Sequence, residues 1–293
     1  MKKLPFIKLC LSMLVFGTIG LFVRNIQMER GFIAMVRGVV GAVVLLAFLL
    51  ATKKKPSLEA IKNNIVYLFL SGLAIGVNWI LLFESYSYTT VATSTLCYYM
   101  APVFVIIASP FLLNTKITLK KGLCVLFALL GMVFVSGVFD TGIGGEGEII
   151  GILLALGAAL FYATVTILNK KLNGISSYDR TVVQLFFAGV TVLPYTLFCE
   201  DNSFVGTTPY MWLLLAVVAI VHTGIAYALF FSSLKDLRAD TVAVFSYLDP
   251  IVAMFLSVFV LSEPMSPLGI VGAVIILLST LVSELDFSKY KKG

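Results

Sequence analysis

The chain has 293 residues, of which 60% are hydrophobic and 12% charged, with mean hydropathy +1.04. Soluble domains carry about 25% charged residues, so this balance excludes a soluble enzyme and implies a helical membrane protein with many spans. The net charge of +6 does not point to nucleic acid, because the basic residues sit in short segments between apolar runs.

In chain order, Met1-Lys2-Lys3 and the apolar run after it have the outline of a signal peptide. That run ends in Phe22-Val23-Arg24-Asn25 without a small-x-small cleavage site, so it reads as an uncleaved first span. Ten apolar helices are predicted, numbered here as spans 1 to 10: about 5–23, 31–51, 65–85, 91–113, 120–138, 148–169, 180–199, 209–232, 240–262 and 267–284. Spans 4 and 9 each carry a mid-span proline, Pro102 and Pro250, which removes a backbone donor and bends the helix. In lipid such a break persists where protein or a water-filled cavity satisfies the freed carbonyl. The Gly-rich stretch 141–147 falls at the midpoint. Gly142-Ile143-Gly144-Gly145 has no Lys-Ser/Thr pair after it and no strand before it, so it reads as a linker and not a phosphate loop. The predicted organisation is a first five-helix repeat at 1–140, the linker 141–147, a second five-helix repeat at 148–286 and a basic tail at 287–293. Cys10, Cys97, Cys124 and Cys199 have no CxxC spacing and read as small buried hydrophobes, with no metal site and no cofactor implied.

The two halves share a fixed offset. Tyr99 and Tyr247 are 148 residues apart (247 − 99), as are Pro102 and Pro250. The same offset pairs Gly76 with Gly224, Phe83 with Phe231, Thr93 with Thr241 and Leu113 with Leu261. An offset near half the chain length signals duplication. With the N-terminus taken as cytoplasmic, the inner segments hold 18 of the 21 basic residues. Arg24 and Arg30 lie outside and Arg37 lies within span 2. This bias sets the orientation, with both termini cytoplasmic in a cell membrane. Five helices per repeat place the second half upside down. The segment after span 4 has Lys116, Lys120 and Lys121, whereas the segment after span 9 has Glu263 and no basic residue. The predicted fold is therefore an all-α membrane protein of ten transmembrane helices arranged as two inverted five-helix repeats, a pattern that suits a midplane site and alternating access. Gly72/Gly76, Gly17/Gly20 and Gly38/Gly41 read first as helix-packing positions.

These features resemble the drug/metabolite transporter superfamily, in particular its EamA-type ten-helix branch. The resemblance rests on Tyr99-Met100-Ala101-Pro102-Val103-Phe104, its partner Tyr247-Leu248-Asp249-Pro250-Ile251-Val252, and the repeat end from Leu261-Ser262-Glu263-Pro264 to Ala273. Family repeats usually have an acidic residue in that turn; the first half departs with Thr115 where Glu263 would align. The resemblance covers essentially the whole chain and implies a carrier of amino acids or other small metabolites.

Polar groups inside spans are costly and so are candidates for function. His222, the one histidine, lies about 13 residues into span 8, roughly 20 Å from its outer end. Asp249 lies about nine residues into span 9, roughly 13 Å from the inner side. The depths match in a core of about 30 Å, so the two are a candidate proton or cation pair facing one cavity. The plainer alternative is a structural pair: His222 on a carbonyl and Asp249 on groups freed by the Pro250 bend. Arg37 and Glu84 are a candidate outer gate ion pair, with Arg37 alternatively holding a substrate carboxylate, or each snorkelling to headgroups. Asn78 and Trp79 on span 3, Tyr98 and Tyr99 on span 4, and the counterparts Tyr227 and Tyr247 offer polar-tipped aromatic surface for an amphipathic or cationic ligand. Aromatics are also common filler and interface anchors. The leading reading is a secondary transporter of a small organic metabolite, an amino acid or related compound, with export favoured and protons as a candidate coupling ion. The alternative is a facilitative uniporter or an importer of a small cationic or amphipathic metabolite. An intramembrane enzyme or a channel fits less well, given one histidine, no paired acids and an inverted duplication. The expected partners are substrate, lipid bilayer and protons, in a monomer or homodimer.

Overall fold

The computed structural model describes residues 3–53, 55–114, 116–136, 146–201, 204, 206–234, 236–237, 239–263 and 265–285, with the backbone alone at 146, 239, 240 and 243. The predicted linker 141–147 lies outside these residues except for its last two positions. The tail 287–293, Thr115, Pro264 and the basic residues Lys2, Lys54, Lys235 and Arg238 also lie outside them.

Every regular element among the described residues is a helix. In order they are α1 (Lys3–Arg24), α2 (Arg30–Ala51), α3 (Leu58–Asn63), α4 (Ile65–Tyr88), α5 (Val91–Tyr98), α6 (Ala101–Leu112) and α7 (Leu119–Val135). The second half has α8 (Glu146–Asn169), α9 (Ser177–Cys199), α10 (Pro209–Val217), a π-helical segment (Val218–Ile225), α11 (Ala226–Leu234), α12 (Ala239–Ser246), α13 (Leu248–Phe259) and α14 (Pro267–Glu284). Hydroxyl caps start many of them. Thr118, Ser176, Thr208 and Ser266 each accept from the backbone N–H three residues on, which satisfies donors that the helix leaves unpaired.

Eight helices among the described residues are long and apolar enough to cross a membrane, taking Val91–Leu112 and Pro209–Leu234 as single spans. Val244–Phe259 is apolar but shorter, and α7 has 17 residues. The outward faces carry large apolar side chains, with Phe198 at 85% and Phe111 at 83% exposure, as lipid contact requires.

The bends lie upstream of the prolines. The chain leaves the helix at Tyr99-Met100, before Pro102, and at Tyr247, before Pro250. Each proline lacks an N–H and its ring crowds the carbonyl four residues back, so the preceding turn tightens. Met100 N–H donates to Cys97 O at 3.0 Å and Tyr247 N–H to Val244 O at 3.3 Å, both three residues back.

Small residues set the helix pairing. A Cβ on Gly72 would strike Phe187, and one on Gly76 would lie 2.9 Å from Ala188 O, so α4 sits directly on α9. Gly38 and Gly189 bring the backbones of α2 and α9 together in the same way. Further pairings are α4 with α8, α7 with α14, α1 with α11 and α13, α2 with the π-helical segment, and α5 and α6 with α8. Interhelical contacts also distinguish two ends. At the end where α1 begins and α14 finishes, Asn64 Nδ2 donates to Asn173 O at 2.8 Å and Lys120 Nζ to Leu285 O at 2.5 Å. At the opposite end Arg24 pairs with Glu263 at 3.3 Å, and Glu200 accepts from Gly31 N–H at 2.6 Å and Phe32 N–H at 3.0 Å. Burial raises the Glu200 carboxyl above its ordinary range, and those two N–H groups act against the rise.

Candidate substrate-binding site

The two breaks and the first span meet around a cavity of about 330 Å³, within the size range of small-molecule sites. Helix α1 contributes Phe16 and Gly17, α2 Arg37, and α4 Trp79, Phe83 and Tyr86. The first break contributes Tyr98 and Tyr99, and the second Tyr247 with Asp249 just after it. Tyr162, Tyr227 and Glu284 add to the polar-tipped lining. The lining is buried towards the Glu263 end, where Phe83 is 0% and Tyr86 2% exposed. Towards the other end Tyr162 is 45% exposed and Glu284 is also exposed. The cavity therefore opens at the end where the chain begins and finishes.

Two opposite charges face this space. Arg37 is 5% exposed; its Nε donates to Thr223 Oγ1 at 2.8 Å and its guanidinium carbon lies 4.0 Å from the Trp79 ring centre. Stacking on Trp79 and Phe83 replaces part of the lost hydration of the cation. Asp249 Oδ2 accepts from the Tyr99 hydroxyl at 3.0 Å, which leaves Oδ1 with no described hydrogen bond. The rings of Tyr99 and Tyr247 are 6.1 Å apart and those of Tyr98 and Tyr162 5.4 Å, forming an aromatic wall beside the carboxylate. A Cβ on Gly17 would lie 2.6 Å from Asp249 O, so only glycine lets α1 approach the second break this closely.

A family model described as the EamA-like transporter family matches residues 4–137 and again 149–284. The chain belongs to that family. It is thus a multi-pass membrane transporter, as its sequence resemblance implied. It is 29% identical over 255 residues to "Uncharacterized transporter YxxF" of Bacillus subtilis (strain 168), covering 87% of this chain and 81% of that protein. It is 26% identical over 275 residues to an "Uncharacterized transporter" of Archaeoglobus fulgidus, covering 93% of each. A crystal structure of another protein matches 96% of this chain and 98% of its own length with TM-score 0.67 at 18% identity, a likeness of fold alone.

Within this EamA-like transporter the predicted residues divide. Arg37, Trp79, Tyr98, Tyr99, Pro102, Tyr227, Tyr247 and Asp249 line one cavity. Asn78 and His222 do not. Asn78 is 1% exposed, and its Nδ2 donates to Ala158 O at 2.6 Å, tying α4 to α8. The expected approach of His222 to Asp249 is corrected, because α1 stands between them. Gly17 meets Asp249 on one side of α1, while Thr18 and Phe22 meet His222 on the other, with Thr18 Oγ1 2.8 Å from Nε2. The expected Arg37–Glu84 pair is also corrected. Glu84 pairs instead with Arg30 at 3.8 Å, at the helix ends, while Arg37 turns inward to Thr223 and Trp79. Pro250 shapes its break without lining the cavity.

Sequence reasoning missed Phe16, Tyr86, Tyr162 and Glu284 as lining residues. Phe83 was visible through its offset partner Phe231, but only as a mark of duplication. The π-helical segment was missed as well. It gives the side chains of His222 and Thr223 access to carbonyls five residues back, Val217 O and Val218 O.

Proposed function

We propose that this transporter carries a small zwitterionic metabolite, an amino acid or related compound, by alternating access between two inverted five-helix halves. The observation that carries the substrate class is the placement of Arg37 and Asp249 in one aromatic-lined cavity. A guanidinium suits a carboxylate, and a carboxylate beside tyrosine rings suits an ammonium. Three facts support the architecture. The family model matches twice. The helix pairings interchange when the halves are swapped: α4 on α8 corresponds to α1 on α11, and α6 on α8 to α1 on α13. The two breaks occur at positions 148 residues apart. The ten-helix count follows if α7 and the α12–α13 pair each make a crossing. Lysines at 53, 55, 62, 116, 120, 121, 170 and 171 gather at the cavity's open end, which supports a cytoplasmic reading of that end, a plasma-membrane location and loading for export.

Liposomes holding purified protein test this reading. Labelled neutral amino acids should show saturable uptake and counterflow, and Tyr99→Ala and Tyr247→Ala should each weaken apparent affinity by roughly tenfold. Transport of cations alone would favour the second reading, an importer or uniporter of a cationic metabolite, which the additional carboxylate of Glu284 in the lining supports.

Proton coupling is part of the proposal and centres on His222. Its Nδ1 lies 3.3 Å from the Val217 carbonyl, which only accepts. Thr18 Oγ1 donates to Val15 O at 2.8 Å and also lies 2.8 Å from Nε2. A hydroxyl has one proton, so all three contacts form together only when both ring nitrogens donate; a neutral ring leaves one unmade. His222→Ala should therefore abolish acceleration by a pH gradient while uncoupled exchange continues. Full acceleration in that variant refutes the role.

A further inference from the structure

We propose that Glu263 latches an outer gate, and that this latch makes the inward-open form the resting state. This rests on the alternating-access reading and its orientation. Glu263 lies just beyond α13, in the second half, yet its carboxylate acts on the first half. Oε2 accepts from Val91 N–H at 2.9 Å, the first residue of α5, and from Ser257 Oγ at 2.5 Å. Ser257 Oγ in turn accepts from Ala92 N–H at 3.1 Å. On its other side Glu263 pairs with Arg24 of α1 at 3.3 Å, and Arg24 Nη1 donates to Thr89 O at 3.1 Å. One carboxylate thus joins the ends of α1, α5 and α13 above the buried end of the cavity. The Glu263 side chain is 10% exposed, so these charge-assisted bonds are partly shielded from water and stronger for it. Glu200, also from the second half, caps the first turn of α2 at the same end.

The other end offers an internal control. The counterpart of Ser257, 148 residues earlier, is Ser109, and its hydroxyl donates into its own helix, to Ile106 O at 3.0 Å. Residues 109–118 contain no acid, and Thr115 holds the position of Glu263. At the start of α9 the cap is the neighbouring Ser176 hydroxyl, not a carboxylate from the other half. At the cytoplasmic end the carboxylate contact across the halves, Ser57 N–H to Asp179 Oδ2, is long at 3.4 Å, whereas opening the outer end loses several short bonds.

The test uses the full chain in native membrane vesicles, with the four cysteines replaced and Ala253→Cys added as a reporter on the cavity lining. A membrane-impermeant thiosulfonate is applied from either side. The reporter should react from the cytoplasmic side and slowly from outside. Adding Glu263→Gln should raise the outer rate roughly tenfold or more, and Arg24→Gln should act in the same direction. Two results overturn the proposal: an outer rate unchanged in both variants, even if they melt earlier, or a reporter already reactive from outside with Glu263 intact. If Glu263→Gln fails to accumulate, Ser257→Ala with Arg24→Gln decides in its place. The labelling needs no substrate. Sided labelling without transport would keep the latch and reject the substrate reading; transport without a labelling shift would do the reverse.

Discussion

Asp249→Asn should reduce transport by about a hundredfold, the loss expected when one member of a buried charged contact is removed. The substitution keeps the shape of the side chain, and its carbonyl oxygen still accepts from the Tyr99 hydroxyl that now binds Asp249 at 3.0 Å. The fold should therefore survive, and the loss should fall on the ammonium-bearing part of the substrate. Arg37→Lys isolates the other part. Lysine keeps the charge but lacks the planar fork that now lies on Trp79 and bonds Thr223. A panel of substrate analogues separates the two sites: Asp249→Asn should equalise a compound with and without its amine, and Arg37→Lys a compound with and without its carboxylate. Asp249→Asn with wild-type transport would remove Asp249 from the binding site.

Gly38→Ala should destabilise the protein by about 2–4 kcal/mol, and a shift in thermal unfolding in detergent should show it. A Cβ there would lie 2.5 Å from Gly189 N, 2.7 Å from its Cα and 2.8 Å from Leu185 O. All three are backbone atoms, so no rotamer change relieves the clash and α2 must move off α9. Gly122→Ala is the contrast. Nothing lies within 4 Å of its added methyl, and alanine is the better helix former by roughly 0.5–1 kcal/mol, so this variant should melt at the same temperature or higher. Equal melting of the two variants would mean that the α2–α9 approach is looser than the geometry has it.

Much of the architecture is legible in the sequence. Apolar runs show spans directly, because lipid leaves no other partner for the backbone. The duplication shows in paired residues such as Tyr99 and Tyr247, since equivalent breaks require equivalent sequence. The breaks fall at those tyrosines and not at the prolines, because a proline disrupts the turn that precedes it. Depth along a span is legible too and sets His222 level with Asp249, but direction is not, and of the two only Asp249 lines the cavity. The π-helical segment left no signal, because Val218–Ile225 reads as an ordinary apolar run.

The membrane class, the fixed offset between the halves, the family and the end that carries the basic residues can be read along the chain. These depend on composition and on order along the chain, which folding does not change. Which groups meet depends on how the helices pack. Packing put Arg37 in the cavity and left Glu84 to Arg30, placed α1 between His222 and Asp249, and brought Glu263 to the start of α5. The physical reason is that rise per residue gives a side chain's depth from sequence alone, whereas its direction around the helix axis selects a partner only once the neighbouring helices are packed against it.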